Sequence, residues 1–121
     1  MNDLLINQVY AQSNSIYLPY ISNNSDRRLK KNISKIPNAL GKIQKLNGVY
    51  FEWKNMNKES NKEIGLIAQD VQTVIPEVVR KNSETGFFTV KYAQLTALLI
   101  EGMKEQQEQI TELKKRIKKL T

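Results

Sequence analysis

The sequence predicts a small α+β domain in which short strands and a β-hairpin precede a long C-terminal helix that forms a coiled coil. Apolar and polar residues alternate over 49–53, as in a strand with one buried face. A turn sequence at 83–86 separates two β-favouring stretches. From Tyr92 to Thr121, only Gly102 interrupts a helical pattern. The 121 residues are enough for one compact domain, or for a smaller domain with an extended helix.

The N-terminal segment, Met1 to Asn24, is polar and rich in asparagine. A β-favouring stretch runs from Ser15 to Ile21. We expect this segment to be a strand or an extended tail, and not a domain of its own.

A short helix and a strand are predicted next. Pro37 and Asn38 are a helix start signal, and the apolar positions that follow at near-helical spacing are Leu40, Ile43 and Leu46. Asn47 and Gly48 end the helix. The strand then alternates Val49, Phe51 and Trp53 with polar neighbours, which favours a core position for Trp53.

The middle of the chain predicts a loop, a strand, a helix and a hairpin. Residues 55–62 are polar and indicate the loop, and Ile64 to Ala68 is short and apolar enough for a strand. Asp70 is the expected cap of a helix that Pro76 ends. Residues 78–82 and 87–91, joined by the turn at 83–86, give the β-hairpin signal.

The long helix carries a heptad pattern in its second half. Met103, Ile110 and Ile117 occupy a positions, and Leu99, Gln106, Leu113 and Leu120 occupy d positions. This pattern favours an oligomeric coiled coil over a single helix packed on its own domain. It does not fix the number of strands, because isoleucine at a with leucine at d favours dimers, while Gln106 is a polar core residue that can specify register or a larger bundle.

The chain contains neither histidine nor cysteine, so few kinds of catalytic site are open to it. A Ser-His-Asp triad, a Cys-His dyad and a thiolate or imidazole zinc site all need residue types that are absent. A hydroxyl nucleophile served by an amine remains possible. Ser25 and Lys30, five residues apart, are the candidate pair, and we expect no metal and no cofactor.

This pair can react only under two conditions. Lys30 must be neutral to act as a base, and the positive charges of Arg27, Arg28 and Lys31 disfavour its protonated form if burial helps as well. In a regular helix, side chains five residues apart lie on substantially different faces, so the backbone between them must turn. A solvated surface serine beside a basic run is the alternative.

The net charge of +7 raises the possibility of nucleic-acid binding. The basic residues form two clusters far apart in the sequence, without interleaved aromatic residues that could stack on bases; they are Arg27, Arg28, Lys30 and Lys31, then Lys114, Lys115, Arg116, Lys118 and Lys119. We therefore expect solvated basic faces and no nucleic-acid partner. We also expect no membrane partner, because no apolar run approaches the roughly 20 residues that span a bilayer.

Five sequence fragments in a fixed order resemble one known family. They are Ser-Asp-Arg-Arg-Leu-Lys, Tyr-Phe-Glu-Trp-Lys, Gly-Leu-Ile-Ala-Gln-Asp-Val-Gln, Pro-Glu-Val-Val and Tyr-Ala-Gln-Leu. From about Ser25 to its end, the chain resembles the intramolecular chaperone auto-processing domain at the C-termini of phage tailspikes, endosialidases, tail fibres and neck appendage proteins.

The resemblance implies a homotrimer that assists the folding of an upstream fibre domain and then cuts itself away. It places the nucleophile at Ser25, its lysine partner at Lys30 and the scissile bond between Asn24 and Ser25. Residues 1–24 would then end the mature fibre, 25–91 would form the auto-processing domain, and 92–121 would form the oligomerisation region. We expect assembly in the host cytoplasm, with the upstream part in the virion tail or neck and the chaperone released.

Two alternatives stay open at this point. One is a trimerisation module without catalytic activity. The other is the related domain of membrane-tethered transcription factors, in which the same device trimerises a DNA-binding region and a transmembrane segment follows the helix. The block from Gly65 to Gln69 matches the family, but nothing in the residues assigns it a catalytic role.

Overall fold

Four three-residue strands and one 26-residue helix account for most of the regular structure in residues 24–54 and 61–121. A computed structural model describes residues 24–54 and 61–121, which belong to two compact units, one ending at Lys35 and one beginning at Ile36. The elements of the second unit are α1 (Ala39–Gln44), β1 (Val49–Phe51), β2 (Glu63–Gly65), α2 (Ala68–Val74), β3 (Val79–Lys81), β4 (Phe88–Val90) and α3 (Leu95–Leu120). The predicted α+β class is confirmed.

The first strand pair is antiparallel and half-buried. Tyr50 lies opposite Ile64, and both side chains face solvent, while Phe51 is partly buried. The predicted alternation in β1 is therefore correct. The core position predicted for Trp53 is wrong, because β1 ends two residues earlier and the indole remains 59% exposed. Its ring packs edge-on against Phe51, with 5.0 Å between ring centroids.

The second strand pair is the predicted hairpin, with Val79 opposite Val90. The Asn82 side chain organises its loop, because Oδ1 accepts hydrogen bonds from the backbone N–H groups of Glu84 at 2.8 Å and Thr85 at 3.1 Å. Gly86 follows with φ of 77°, a left-handed conformation that glycine adopts without steric cost. The predicted turn at 83–86 thus has a local physical basis.

The hydrophobic core forms where α1, α2 and the start of α3 meet. Its buried members are Ala39, Val71, Ile75, Val78, Leu95 and Leu98. Val71 and Leu98 are each only 1% exposed. The core therefore uses just the first two turns of the long helix, and most of α3 extends past it.

The helix α2 begins earlier than the sequence suggests. Ala68, predicted to end a strand, is its first residue, and Ile67 precedes it without a side-chain cap. The prediction that Asp70 caps this helix is wrong, because Asp70 lies inside the first turn. Its carboxylate is still near the positive end of the helix dipole, which favours a negative charge.

Close contact between α1 and α3 explains the glycine inside the long helix. A Cβ atom at Gly102 would collide with the Ile43 side chain of α1. The buried Gly102 therefore lets the two helices approach, which offsets its cost of about 1 kcal/mol in a helix interior. The helix α1 thus packs against the turn of α3 that contains Gly102.

A carboxylate from α3 caps α1. Asn38 precedes α1 as predicted, but it has a left-handed φ of 51° and makes no side-chain cap hydrogen bond. Glu105 accepts instead, from the N–H of Ala39 at 3.0 Å and from the N–H of Leu40 at 2.8 Å. These bonds satisfy two N–H groups that a helix N-terminus leaves unpaired. A single side chain thus links the two helices.

The predicted heptad residues form one exposed stripe on α3. Apolar members of the stripe range from 40% exposed at Ile110 to 87% at Leu120, and Gln106 is exposed as well. The face that packs on α1 is separate and includes Leu98 and Gly102. Within the described part of the chain, no helix is both long and apolar enough to span a membrane.

The cap on α1 can be tested by removing it. Glu105→Ala is expected to destabilise the domain by about 1 to 2 kcal/mol, because two backbone donors at the start of α1 lose their acceptor. Thermal unfolding followed by circular dichroism measures the change. Glu108→Ala, an exposed glutamate on the same helix, is the control and should leave the melting temperature nearly unchanged. Equal melting temperatures for the two variants would contradict the assignment of the cap.

Candidate active site

One turn of 3-10 helix, Arg27–Leu29, organises the N-terminal end of the described chain. Two backbone hydrogen bonds close the turn, from the Leu29 N–H to the Asp26 carbonyl at 3.0 Å and from the Lys30 N–H to the Arg27 carbonyl at 3.1 Å. Asp26 caps it, because its side chain accepts a hydrogen bond from the Arg28 N–H at 2.8 Å. The turn is therefore defined by residues next to one another in sequence.

The Asp26 carboxylate also forms an ion pair that steadies the turn. The Arg28 guanidinium donates from Nε at 3.1 Å and from Nη2 at 2.9 Å to the two carboxylate oxygens. These bonds, with that of the Arg28 N–H, lower the pKa of Asp26 from 3.8 to about 2. Because this pKa is lowered by folding, the contribution of the ionised carboxylate is present above its unfolded pKa and is lost as the pH falls towards 2.

Ser25 and Lys30 meet across this turn. Lys30 follows the 3-10 turn in an extended conformation, with φ of −117° and ψ of 150°. Its Nζ donates a hydrogen bond to Ser25 Oγ, with 2.7 Å between the two atoms. The sequence required an irregular backbone between the two side chains, and the structure contains one. The scissile bond proposed from the sequence lies directly before Ser25, at the exposed Asn24.

The contact has the geometry needed for proton transfer. A general base must lie within about 2.6 to 3.2 Å of the proton-bearing atom, and Nζ meets that requirement at 2.7 Å. As a neutral amine, Nζ could accept the Oγ proton along the same line that it now uses to donate. Both side chains are exposed in the single chain. Among the described residues, no three acidic side chains cluster closely enough to hold a metal ion.

Sequence reasoning identified the pair but missed what positions it. Asp26 and Arg28 appeared only as members of a charged run, although Asp26 two residues before an N–H donor is a recognisable cap pattern. Glu105 gave no signal either, since its partners lie 65 and 66 residues away in sequence. Contacts of that separation cannot be read from local spacing.

The block from Gly65 to Gln69, which resembles the family, connects two elements of the fold. The Leu66 N–H donates to the Tyr92 hydroxyl at 3.0 Å, and that hydroxyl lies 3.4 Å from the Leu66 carbonyl oxygen, to which it donates in turn. Tyr92 begins the 3-10 turn Tyr92–Gln94, which leads into α3. The block therefore fastens the end of β2 to the start of the long helix, and none of these contacts involves Ser25 or Lys30.

Comparison with known families gives a match over residues 25–80. The matching family is described as the chaperone of endosialidase, and its name marks it as a family of peptidases. The match begins at Ser25 and includes the turn, α1, both strands of the first sheet and α2. The resemblance inferred from the sequence fragments is confirmed.

Curated relatives are long tail fibre proteins of bacteriophages. The chain is 34% identical over 114 residues to long tail fiber protein Gp37 of Enterobacteria phage K3, which covers 90% of the chain and 9% of that protein. The chain is also 34% identical over 114 residues to the Gp37 protein of Enterobacteria phage T2, a match that covers 90% of the chain and 8% of that protein. Its identity to the Gp37 protein of Salmonella phage S16 is 34% over 114 residues, which covers 88% of the chain and 15% of that protein.

These relatives are much longer than the region of similarity, because the chain spans only 8% to 15% of their length. The similarity nevertheless extends over 88% to 90% of this chain. Residues 25–80 therefore match the chaperone of endosialidase family, and the chain carries a chaperone domain of the kind that phage tail fibre proteins contain.

Proposed function

We propose that this domain trimerises a phage tail fibre chain, assists its folding and then releases itself by cutting the Asn24–Ser25 bond with Ser25 and Lys30. The hydrogen bond of 2.7 Å between Lys30 Nζ and Ser25 Oγ is the observation that carries the proposal. The match to the family supports the chaperone role, and the peptidase name of the family supports the self-cleavage.

The cleavage would proceed as an acyl shift followed by hydrolysis. Neutral Lys30 takes the Oγ proton, and Oγ attacks the carbonyl carbon of Asn24. The Asn24 C–N bond breaks, the Ser25 nitrogen receives a proton as the leaving amine, and an ester joins Asn24 to Ser25 Oγ. Water then hydrolyses the ester, giving the Asn24 carboxylate and a free Ser25 hydroxyl. The attack is intramolecular, so folding supplies most of the orientation that the reaction requires.

Stabilisation of the oxyanion must come from donors outside the closed part of the turn. The N–H groups of Arg28, Leu29 and Lys30 already donate within the turn. Backbone N–H groups are the usual donors to a tetrahedral intermediate in acyl transfer. We therefore assign this role to other backbone N–H groups that approach Asn24 in the assembled protein.

Assembly would bury Ser25 and Lys30, which are not buried in the single chain. Ser25 and Lys30 are both exposed, and water stabilises the protonated ammonium that cannot act as a base. Burial by neighbouring chains would favour the neutral amine, with the positive charges of Arg27 and Lys31 acting in the same direction. Cleavage would then follow assembly, so that an unassembled chain keeps its chaperone.

The exposed stripe on α3 is the surface that we assign to trimer formation. Its members are Leu99, Met103, Gln106, Ile110, Leu113, Ile117 and Leu120, each exposed in the single chain. Apolar a and d positions that face solvent over several turns are normally covered by matching helices. A parallel three-stranded bundle would cover them and bring three fibre chains into register.

The similarity to tail fibre proteins favours the fibre over a membrane-tethered transcription factor. We infer that folding and cleavage take place in the host cytoplasm during virion assembly. Residues up to Asn24 would remain with the fibre in the virion, and residues 25–121 would be released. An inert trimerisation module is the second candidate, which the exposure of both dyad residues in the single chain favours.

The dyad can be tested by substitution at each member. Ser25→Ala should abolish cleavage, because the nucleophile is removed. Lys30→Ala should slow cleavage by about 10²-fold to 10⁴-fold, the usual contribution of a general base. Both variants should still fold and assemble. Intact mass and N-terminal sequencing of the purified protein measure cleavage, and Ser34→Ala and Lys35→Ala, both at exposed positions, are the matched controls.

Each outcome of this experiment decides something different. A fragment that begins at Ser25, produced by the wild type and both controls but not by Ser25→Ala, supports the mechanism. Undiminished cleavage in Lys30→Ala would remove the lysine from the mechanism, and a cut elsewhere would remove the assigned bond. A wild-type chain that assembles and stays intact identifies the inert module.

The dependence of cleavage on assembly is tested by a monomeric variant. Ile110→Asp with Ile117→Asp places two charges in the apolar stripe and should yield monomers that remain uncut, because the core of the bundle cannot hold unpaired carboxylates. Analytical ultracentrifugation gives the oligomeric state and mass spectrometry gives cleavage. Lys115→Asp, at an f position on the outer side of the bundle, changes the net charge by the same amount and is the control that should assemble and cut. Normal cleavage by the monomeric variant would refute the coupling.

A further inference from the structure

A groove that contains several carboxylates lies beside the apolar stripe of α3. It measures about 680 Å³, and Glu105, Glu108 and Glu112 give it three carboxylates. Arg116 forms part of its wall, and its Nε donates to Glu112 Oε1 at 3.2 Å. Leu113, a d residue of the stripe, also lines the groove. The groove is therefore continuous with the surface that we assign to trimer formation.

The opposite flank of the same stripe has a different charge. In the heptad, e and b positions from Lys104 to Lys118 contain lysine, glutamine and threonine and no acidic residue. Lys104 is paired with Glu101 at 3.4 Å. Lys114, at an e position, makes no ion pair with any residue in 24–54 or 61–121. One flank of the stripe thus carries carboxylates and the other carries an available ammonium group.

A parallel bundle brings these two flanks together. The g and c side of each helix faces the e and b side of the next helix, because these positions border the a and d seam on its two edges. Glu112 occupies a c position and Lys114 an e position, two residues apart in sequence. Two residues correspond to about 3 Å along a helix axis, so an in-register neighbour places the two side chains at nearly the same height.

We propose that Lys114 of a neighbouring copy enters this groove and pairs with Glu112. The inference rests on the trimer of the proposed function and adds the residues that set its direction. Glu112 then bridges Arg116 of its own chain and Lys114 of the next, and the three interfaces repeat the same contact. The second copy is the occupant because its charge complements the groove and because the groove adjoins the proposed interface through Leu113.

This contact would counter a repulsion built into the parallel arrangement. Lys114, Lys115, Arg116, Lys118 and Lys119 lie within the last turns of α3, so three parallel copies bring their basic ends close together. Pairing Lys114 with a carboxylate removes one charge per chain from this repulsion. An antiparallel neighbour places Lys114 beside a different part of α3, so the pair also distinguishes parallel from antiparallel packing.

Two neighbouring lysines make the test specific. Lys114→Glu and Lys115→Glu change the net charge equally, but Lys115 occupies an f position on the outer side of the bundle. Lys114→Glu should raise the concentration at half assembly about tenfold or more, because three attractive pairs become three repulsive ones. Lys115→Glu should leave it unchanged or lower it. Sedimentation equilibrium measures both values, and circular dichroism checks that helix content is preserved.

A rescue variant completes the test. Adding Glu112→Lys to Lys114→Glu reverses both charges and should recover part of the lost assembly. If both lysine variants shift assembly in the same direction, or if the rescue fails, general charge repulsion explains the data and the proposed pair is refuted. In that case a trimeric wild type leaves the proposed function intact. A monomeric wild type would contradict the trimer itself, and with it this pair.

Discussion

The packing of residues 36–54 and 61–121 depends on the long helix α3, which presents one face to α1 and another face to solvent. Leu98 and Gly102 face α1, where Ile43 fills the space that the glycine leaves and Glu105 caps the incoming helix. That face is fully used within the chain. The adjacent stripe is apolar and exposed, so the hydrophobic effect favours covering it with another surface. The same helix therefore stabilises the domain on one side and exposes on the other the apolar stripe that the proposed trimer would cover.

The candidate dyad obeys a different constraint, because its geometry is entirely local. Asp26 caps the turn, two backbone bonds close it, and Lys30 then extends back to reach Ser25. Such a turn can form as soon as these residues are made. Burial of the pair is not local, because neither side chain is covered by residues of the single chain. Separation of geometry from burial explains how a complete pair of reacting groups could wait, inactive, for assembly.

Residue patterns within short segments correctly predicted the features that depend on neighbours in sequence. The period of two identified β1, the turn residues identified the β3–β4 hairpin, and the heptad identified the exposed stripe of α3. Trp53 was misplaced because alternation continues past the end of β1, where backbone pairing has stopped. The cap on α1 could not be predicted, because Glu105 is distant in sequence from Ala39 and Leu40. Nothing in its local sequence distinguishes it from the other glutamates of α3. For the site, spacing and residue type suggested Ser25 with Lys30, whereas only the structure showed the turn that joins them.

If cleavage depends on assembly, as proposed, the rate of cleavage must depend on protein concentration. Purified uncut chain, refolded from denaturant at a series of concentrations, would be sampled over time by mass spectrometry. We expect the fraction cut per unit time to rise steeply with concentration and to level off where sedimentation shows complete assembly. A fractional rate that stays constant across concentrations at which the chain is monomeric would contradict this dependence, because a monomer would then contain everything the reaction needs.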